Sequence, residues 1–136
     1  MTELFSTRYI VTEDDISVGA HLGNERALVI FQKGRLDFLQ HLGFSDKNIG
    51  DNRGIIIVES GVKYHREGFL RDVLLVHVTG VGIAGKKCTL AYSVTRESDG
   101  QELLSGFTSF LAFDYQIKKV VELPEVFVEK TGRMFS

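Results

Sequence analysis

The stretch NERALVIFQKGRLDFLQHLG, residues 24–43, decides how the rest of the chain must fold. Leu28, Phe31, Arg35, Phe38, Leu39 and Leu42 recur in it at spacings of three and four, which in a helix puts them on one face. The spacing predicts a helix over 24–42. Asn24 suits its N-cap, because an asparagine side chain accepts from the unpaired amides of the first turn. Gly43 suits its C-terminal stop, and Gly34 is a poor helix former inside it. The first half, ALVIF, is apolar on nearly every side. A helix of that kind is enclosed by other elements rather than laid on a surface.

The flanking sequence supplies the enclosure. A short β-like stretch at 8–12 comes first, then a polar connector up to Gly23. After the turn-rich FSDKNIGDNRG, the segments 55–64 and 73–79 are rich in β-branched residues and read as strands. Residues 87–95 alternate, with Leu90, Tyr92 and Val94 in one register and Thr89, Ala91, Ser93 and Thr95 in the other. Ser98-Asp99-Gly100 supplies a hairpin turn. Residues 103–113 follow, with Leu103, Phe107, Leu111 and Phe113 in one register and Gly106, Thr108, Phe110 and Ala112 in the other. Gly80, Gly82 and Gly85 lack the order of a phosphate-binding loop and read as a bulge or turn between strands. The only proline, Pro124, falls where the sheet has ended. The simplest architecture is α+β, an antiparallel sheet wrapped around one long central helix. Such a half-open sheet leaves an edge strand, through which dimerisation is expected.

A length of 136 residues fits one domain, 1–136, with a real core. A net charge of −2 gives no whole-protein reason to bind nucleic acid or an anionic membrane, and neither is expected as a partner. No run approaches the roughly 20 apolar residues that span a bilayer. The lone Cys88 excludes an intramolecular disulfide and fits a reducing compartment. The start, MTELFSTRYIV, lacks the long apolar core of a signal peptide, so a cytoplasmic location is expected. His41, His65 and His77 fall on different elements with no ligand spacing, and no metal site is expected.

Several of these stretches together resemble the hotdog-fold acyl-CoA thioesterases of the 4-hydroxybenzoyl-CoA thioesterase type. His21-Leu22-Gly23-Asn24, with Phe31 and Arg35 in register, resembles that family's helix start. VESGVKYHREGFLRD resembles its strand with a tyrosine and a turn ending in an acid, matching Tyr64 and Asp72. IAGKKCTLAYSVTRESDGQELLSGFTSFLAFD resembles its last long hairpin, closed by Asp114, and ELPEVF its tail. The resemblance implies a hotdog dimer or tetramer that binds a small-molecule acyl-CoA across the subunit interface. It implies no cofactor beyond the coenzyme A of the substrate. The family's catalytic Asp stands four residues before the histidine, and this chain has Ser17 there. The resemblance also implies that a thioester carbonyl is polarised by a backbone amide at the helix N-terminus, where the dipole favours developing negative charge.

Five residues around that helix start are therefore catalytic candidates. Asp15 points to the same side as Ser17 in extended chain, about 6.6 Å back, and is otherwise a solvated connector acid. Glu25, in the first helical turn, is placed to act as general base on water, or simply to favour the helix dipole. Ser17 is a nucleophile only if His21 serves as its base; otherwise His21 hydrogen-bonds the loop. Asn24 offers its amide to the carbonyl. Tyr64 is a candidate for substrate binding, and Lys86 and Lys87 for the CoA phosphates. Hydrolysis of an acyl-CoA is the first expectation. The alternative is a non-catalytic acyl-CoA or acyl-carrier binding protein that lacks the usual Asp. A dehydratase is disfavoured by the lack of a paired Asp and His.

Overall fold

The computed structural model describes residues 4–133. β1 (Phe5–Ile10) is followed by 3-10 turns at Glu13–Asp15 and Asn24–Arg26, and by the long helix α1 (Ala27–His41). Then come β2 (Gly54–Tyr64), β3 (Val73–Ala84), β4 (Lys87–Arg96), β5 (Glu102–Asp114) and β6 (Lys119–Val121), with α2 (Glu125–Arg133) last. The strands run in the order β1-β3-β4-β5-β2, antiparallel throughout, and β6 pairs with the end of β5. The sheet wraps α1, the hotdog architecture expected from the sequence.

Close packing of α1 on the sheet uses two glycines. Phe31 stacks on Tyr92 of β4 with ring centroids 4.7 Å apart, and it lies over Gly106 of β5, where a Cβ would fall 2.7 Å from its ring. A Cβ at Gly34 would lie 2.6 Å from Val76 of β3. The residue that weakens helix propensity is thus what lets the helix approach the strand. The helix stops at Gly43, whose φ of +88° is in the left-handed region. Its amide bonds the Gln40 carbonyl at 2.9 Å and the Phe44 amide bonds that of Leu39 at 2.8 Å, the Schellman pattern.

The structure corrects some of the element readings. Asn24 is not the N-cap: Gly23 holds that position in extended conformation, with no side chain to cap the turn. Leu28 is 49% exposed, because it borders an open groove beside the edge strand β2; Ala27 and Ile30 are buried in its stead. β1 starts and ends earlier than 8–12, since Thr12 already belongs to the next turn. β3 continues past residue 79 through a register shift between Val78 and Gly80, and Gly85 (φ +60°) makes the turn. In β5 the register of Gly106, Thr108, Phe110 and Ala112 faces the helix. α2 had no helical signal; Phe127 anchors it against Phe44 and Phe110.

Candidate functional site

A cavity of about 330 Å³ opens at the start of the helix. One wall is the segment His21–Asn24, by number 21–24; the other is the end of β2 and the loop after it, where Tyr64, His65, Arg66 and Glu67 face the space. Two hydrogen bonds join the walls: the Leu22 amide donates to the Gly68 carbonyl (2.7 Å) and the Tyr64 hydroxyl to the Asn24 carbonyl (2.9 Å). With glycine at the N-cap, the amides of Asn24 and Glu25 have neither a side-chain cap nor an acceptor within the helix. A pair of free amides at a helix start suits an oxygen that gains negative charge.

Asp15 lies beneath this corner. It is 1% exposed, and its carboxylate accepts from the Tyr9 hydroxyl (2.8 Å), Arg26 Nε (2.8 Å) and the Thr12 amide (2.9 Å) and hydroxyl (3.2 Å). Its carbonyl holds the Gly23 amide at 2.9 Å. Burial alone would raise its pKa, but the hydrogen bonds from Thr12, Tyr9 and Arg26 outweigh burial and hold the carboxyl below its usual range. A carboxylate satisfied on all sides anchors the corner and is a poor base.

Ser17 does not meet the His21 ring. Its hydroxyl lies 3.4 Å from the backbone carbonyls of Val18 and His21, in a small hairpin closed by the Ile16–Leu22 bridge. His21 Nδ1 stands 3.2 Å from the Leu22 carbonyl, so the neutral ring carries its hydrogen there and keeps Nε2 as an acceptor. The Glu25 carboxylate folds back over Gly23, where any Cβ would collide with it. Lys86 and Lys87 are elsewhere. Lys87 pairs with Leu111 of β5, seven residues and about 23 Å along the strand from Leu104, which lines the cavity. Lys86 approaches Glu122 at 4.0 Å.

His65, Arg66 and Glu67 also line the cavity, although they are not among the candidates read from the sequence. Their signal is the charge-rich run KYHREG at the end of a strand, where loops carry function. His65 Nε2 is 2.8 Å from the Ser105 hydroxyl and 3.6 Å from Glu102. Asp72 and Asp114, matched by the resemblance, are turn anchors: Asp72 accepts from the Phe69 amide and Arg96, and Asp114 from Arg53 and the Gln116 amide. Among the described residues no group of three His, Cys, Asp or Glu side chains is placed to hold a metal ion.

A family model, the thioesterase-like superfamily, matches residues 11–131. The chain belongs to that superfamily. No curated protein sequence matches this thioesterase-like chain. Solved structures resemble it in fold. A 1,4-dihydroxy-2-naphthoyl-CoA thioesterase from Synechocystis superposes with a TM-score of 0.85 at 18% identity, over 97% of this chain and 98% of that one. A Staphylococcus aureus protein in complex with CoA has a TM-score of 0.85 at 20% identity, over 96% of this chain and 83% of its own.

Proposed function

We propose that this thioesterase-like protein hydrolyses an acyl-CoA thioester at the helix-start cavity, completed by a second copy paired along the open edge of β2. The observation that carries the proposal is the uncapped helix start, whose Asn24 and Glu25 amides are free to hold a thioester carbonyl as it becomes an oxyanion. The superfamily and the CoA held by the S. aureus neighbour support the same class of substrate. Glu25, whose carboxylate folds over Gly23 at the cavity's edge, takes the proton from the attacking water; Glu67 is the carboxylate that lines the cavity itself. Asp15 positions the corner through Arg26 and Gly23.

The test follows thiol release from a panel of acyl-CoAs. Glu25→Gln lowers kcat/KM by about 100-fold or more, the usual worth of a general base, with thermal stability unchanged. An equal loss in Glu67→Gln with Glu25→Gln unaffected transfers the role; turnover that no carboxylate variant alters rejects it.

Ser17 favours a second reading, since it stands where the resembled family carries its catalytic Asp and its hydroxyl is turned to backbone carbonyls. On that reading the protein binds acyl-CoA without turnover. Calorimetry then shows binding without thiol release, and Ser17→Asp raises hydrolysis.

A further inference from the structure

A second hollow, of about 270 Å³, lies between α1 and the edge strand β2. Leu28, Val29 and Ile57 give it apolar walls; Ser60, Thr108 and Arg35 are polar groups bordering it. Arg35 is only 8% exposed, its Nε has no hydrogen-bond partner, and no carboxylate pairs with it among the described residues. The Arg35 guanidinium donates toward the neutral Tyr92 hydroxyl, which also meets Thr108 Oγ1 at 2.6 Å. Burial pushes the Tyr92 phenol above its usual pKa, so it brings no negative charge. A buried guanidinium without a counter-charge is costly.

The strand next to it explains why no acid of β2 reaches Arg35. β2 and β5 lose register between Ile57 and Glu59, so Glu59 stands opposite Ser109 and Ser60 opposite Thr108. Without that bulge, alternation from Ile57 would put Glu59 opposite Thr108, on the helix-facing side next to Arg35. The bulge turns the chain's own acid to the outer face and leaves a neutral serine in the hollow.

We propose that the Arg35 guanidinium receives an acidic oxygen, a carboxylate or an acidic aryl hydroxyl, at the far end of the acyl group. This rests on the reading of the helix start as the thioester site. Arg35 is eleven residues beyond Asn24, about 16 Å along a helix. A helical side chain leans toward the N-terminus, so the guanidinium stands on the order of 10 Å from the Asn24 amide. A cavity of about 150 Å³ holds benzene, and this hollow admits a larger group. The class is therefore a medium-chain ω-carboxyacyl thioester or a bicyclic hydroxyaryl one.

The experiment compares acyl-CoAs in pairs of equal length, with a terminal carboxylate or a terminal methyl, from six to twelve carbons, and naphthoyl-CoA with and without an acidic hydroxyl. The acidic member of a pair is preferred at least tenfold in kcat/KM, most strongly for acyl groups near 10 Å. Arg35→Met abolishes that ratio, and Arg35→Lys, which keeps the charge but not the planar fork, retains part of it. Whichever acidic series is preferred names the source of the oxygen. Non-hydrolysable thioether analogues are titrated in parallel by calorimetry. Selective binding without hydrolysis upholds the Arg35 inference and rejects the catalytic reading. Hydrolysis or binding of both members of every pair alike overturns the inference while sparing catalysis; no binding at all overturns both. If Arg35→Met leaves the ratio intact but dissociates the oligomer, a partner's acid answers the guanidinium and the inference falls. Should Arg35→Met fail to fold, the wild-type ratio and its length dependence decide by themselves.

Discussion

The Asp15 carboxylate accepts four hydrogen bonds, one of them from a guanidinium, so replacing it leaves several donors unanswered. Asp15→Asn costs about 2–3 kcal/mol in denaturant unfolding, the scale of lost hydrogen bonds to a charged group. Because the folded pKa is depressed, the carboxylate's stabilisation is fully present above the unfolded value near ~3.9. It is lost as pH falls through the lower folded value. The wild type therefore loses stability more steeply than Asp15→Asn below about pH 4. Cys88 is the opposite case: fully buried, its thiol is pushed up to about 12 by desolvation. An aromatic disulfide reagent leaves it unlabelled at pH 8 in the native protein and labels it completely in denaturant. Sequence alone ranked Asp15 as a possible base, because its position along the chain is compatible with one. Its burial and its partners, 6 to 11 residues away in Tyr9 and Arg26, belong to the folded corner.

At the scale of elements, α1 and the strands were legible because periodicity encodes them: Phe31, Phe38 and Leu39 at helical spacing, Leu90, Tyr92 and Val94 at strand spacing. The face that β5 turns to the helix was not legible. Both of its registers carry aromatic residues, and the choice follows from Phe31, which needs Gly106 beneath it. Gly106→Ala puts a methyl group against both the Phe31 ring and the Gly61 carbonyl. The expected loss in unfolding measurements is about 2 kcal/mol, typical of overpacking. The helix start was half legible. Its location followed from the apolar run, but Gly23 rather than Asn24 occupies the N-cap, and that leaves the amides free. The bulge in β2 has no sequence signature, since GIIIVESGVKY reads equally well as an unbroken strand.

Across the whole molecule, β2 pairs only with β5 and leaves its other edge open, with Val58 50% and Tyr64 53% exposed. Open edges of this kind seek a second strand. A dimer paired along this edge is the outcome expected in sedimentation, with Val58→Lys expected to raise its dissociation constant by about tenfold, or 1.4 kcal/mol. No helix among the described residues is long and apolar enough to cross a membrane. The sequence by itself determined the long helix, the strands β1 to β5, their order and the wrapped sheet, though not β6 or α2, because local periodicity and turn chemistry act between neighbours along the chain. Only the tertiary structure decided that Asp15 is an anchor, that His65, Arg66 and Glu67 face the helix start, that Lys86 and Lys87 do not, and that Arg35 lacks an acid. Each of these depends on which distant segments meet and which groups leave water, and a one-residue bulge is enough to change the answer.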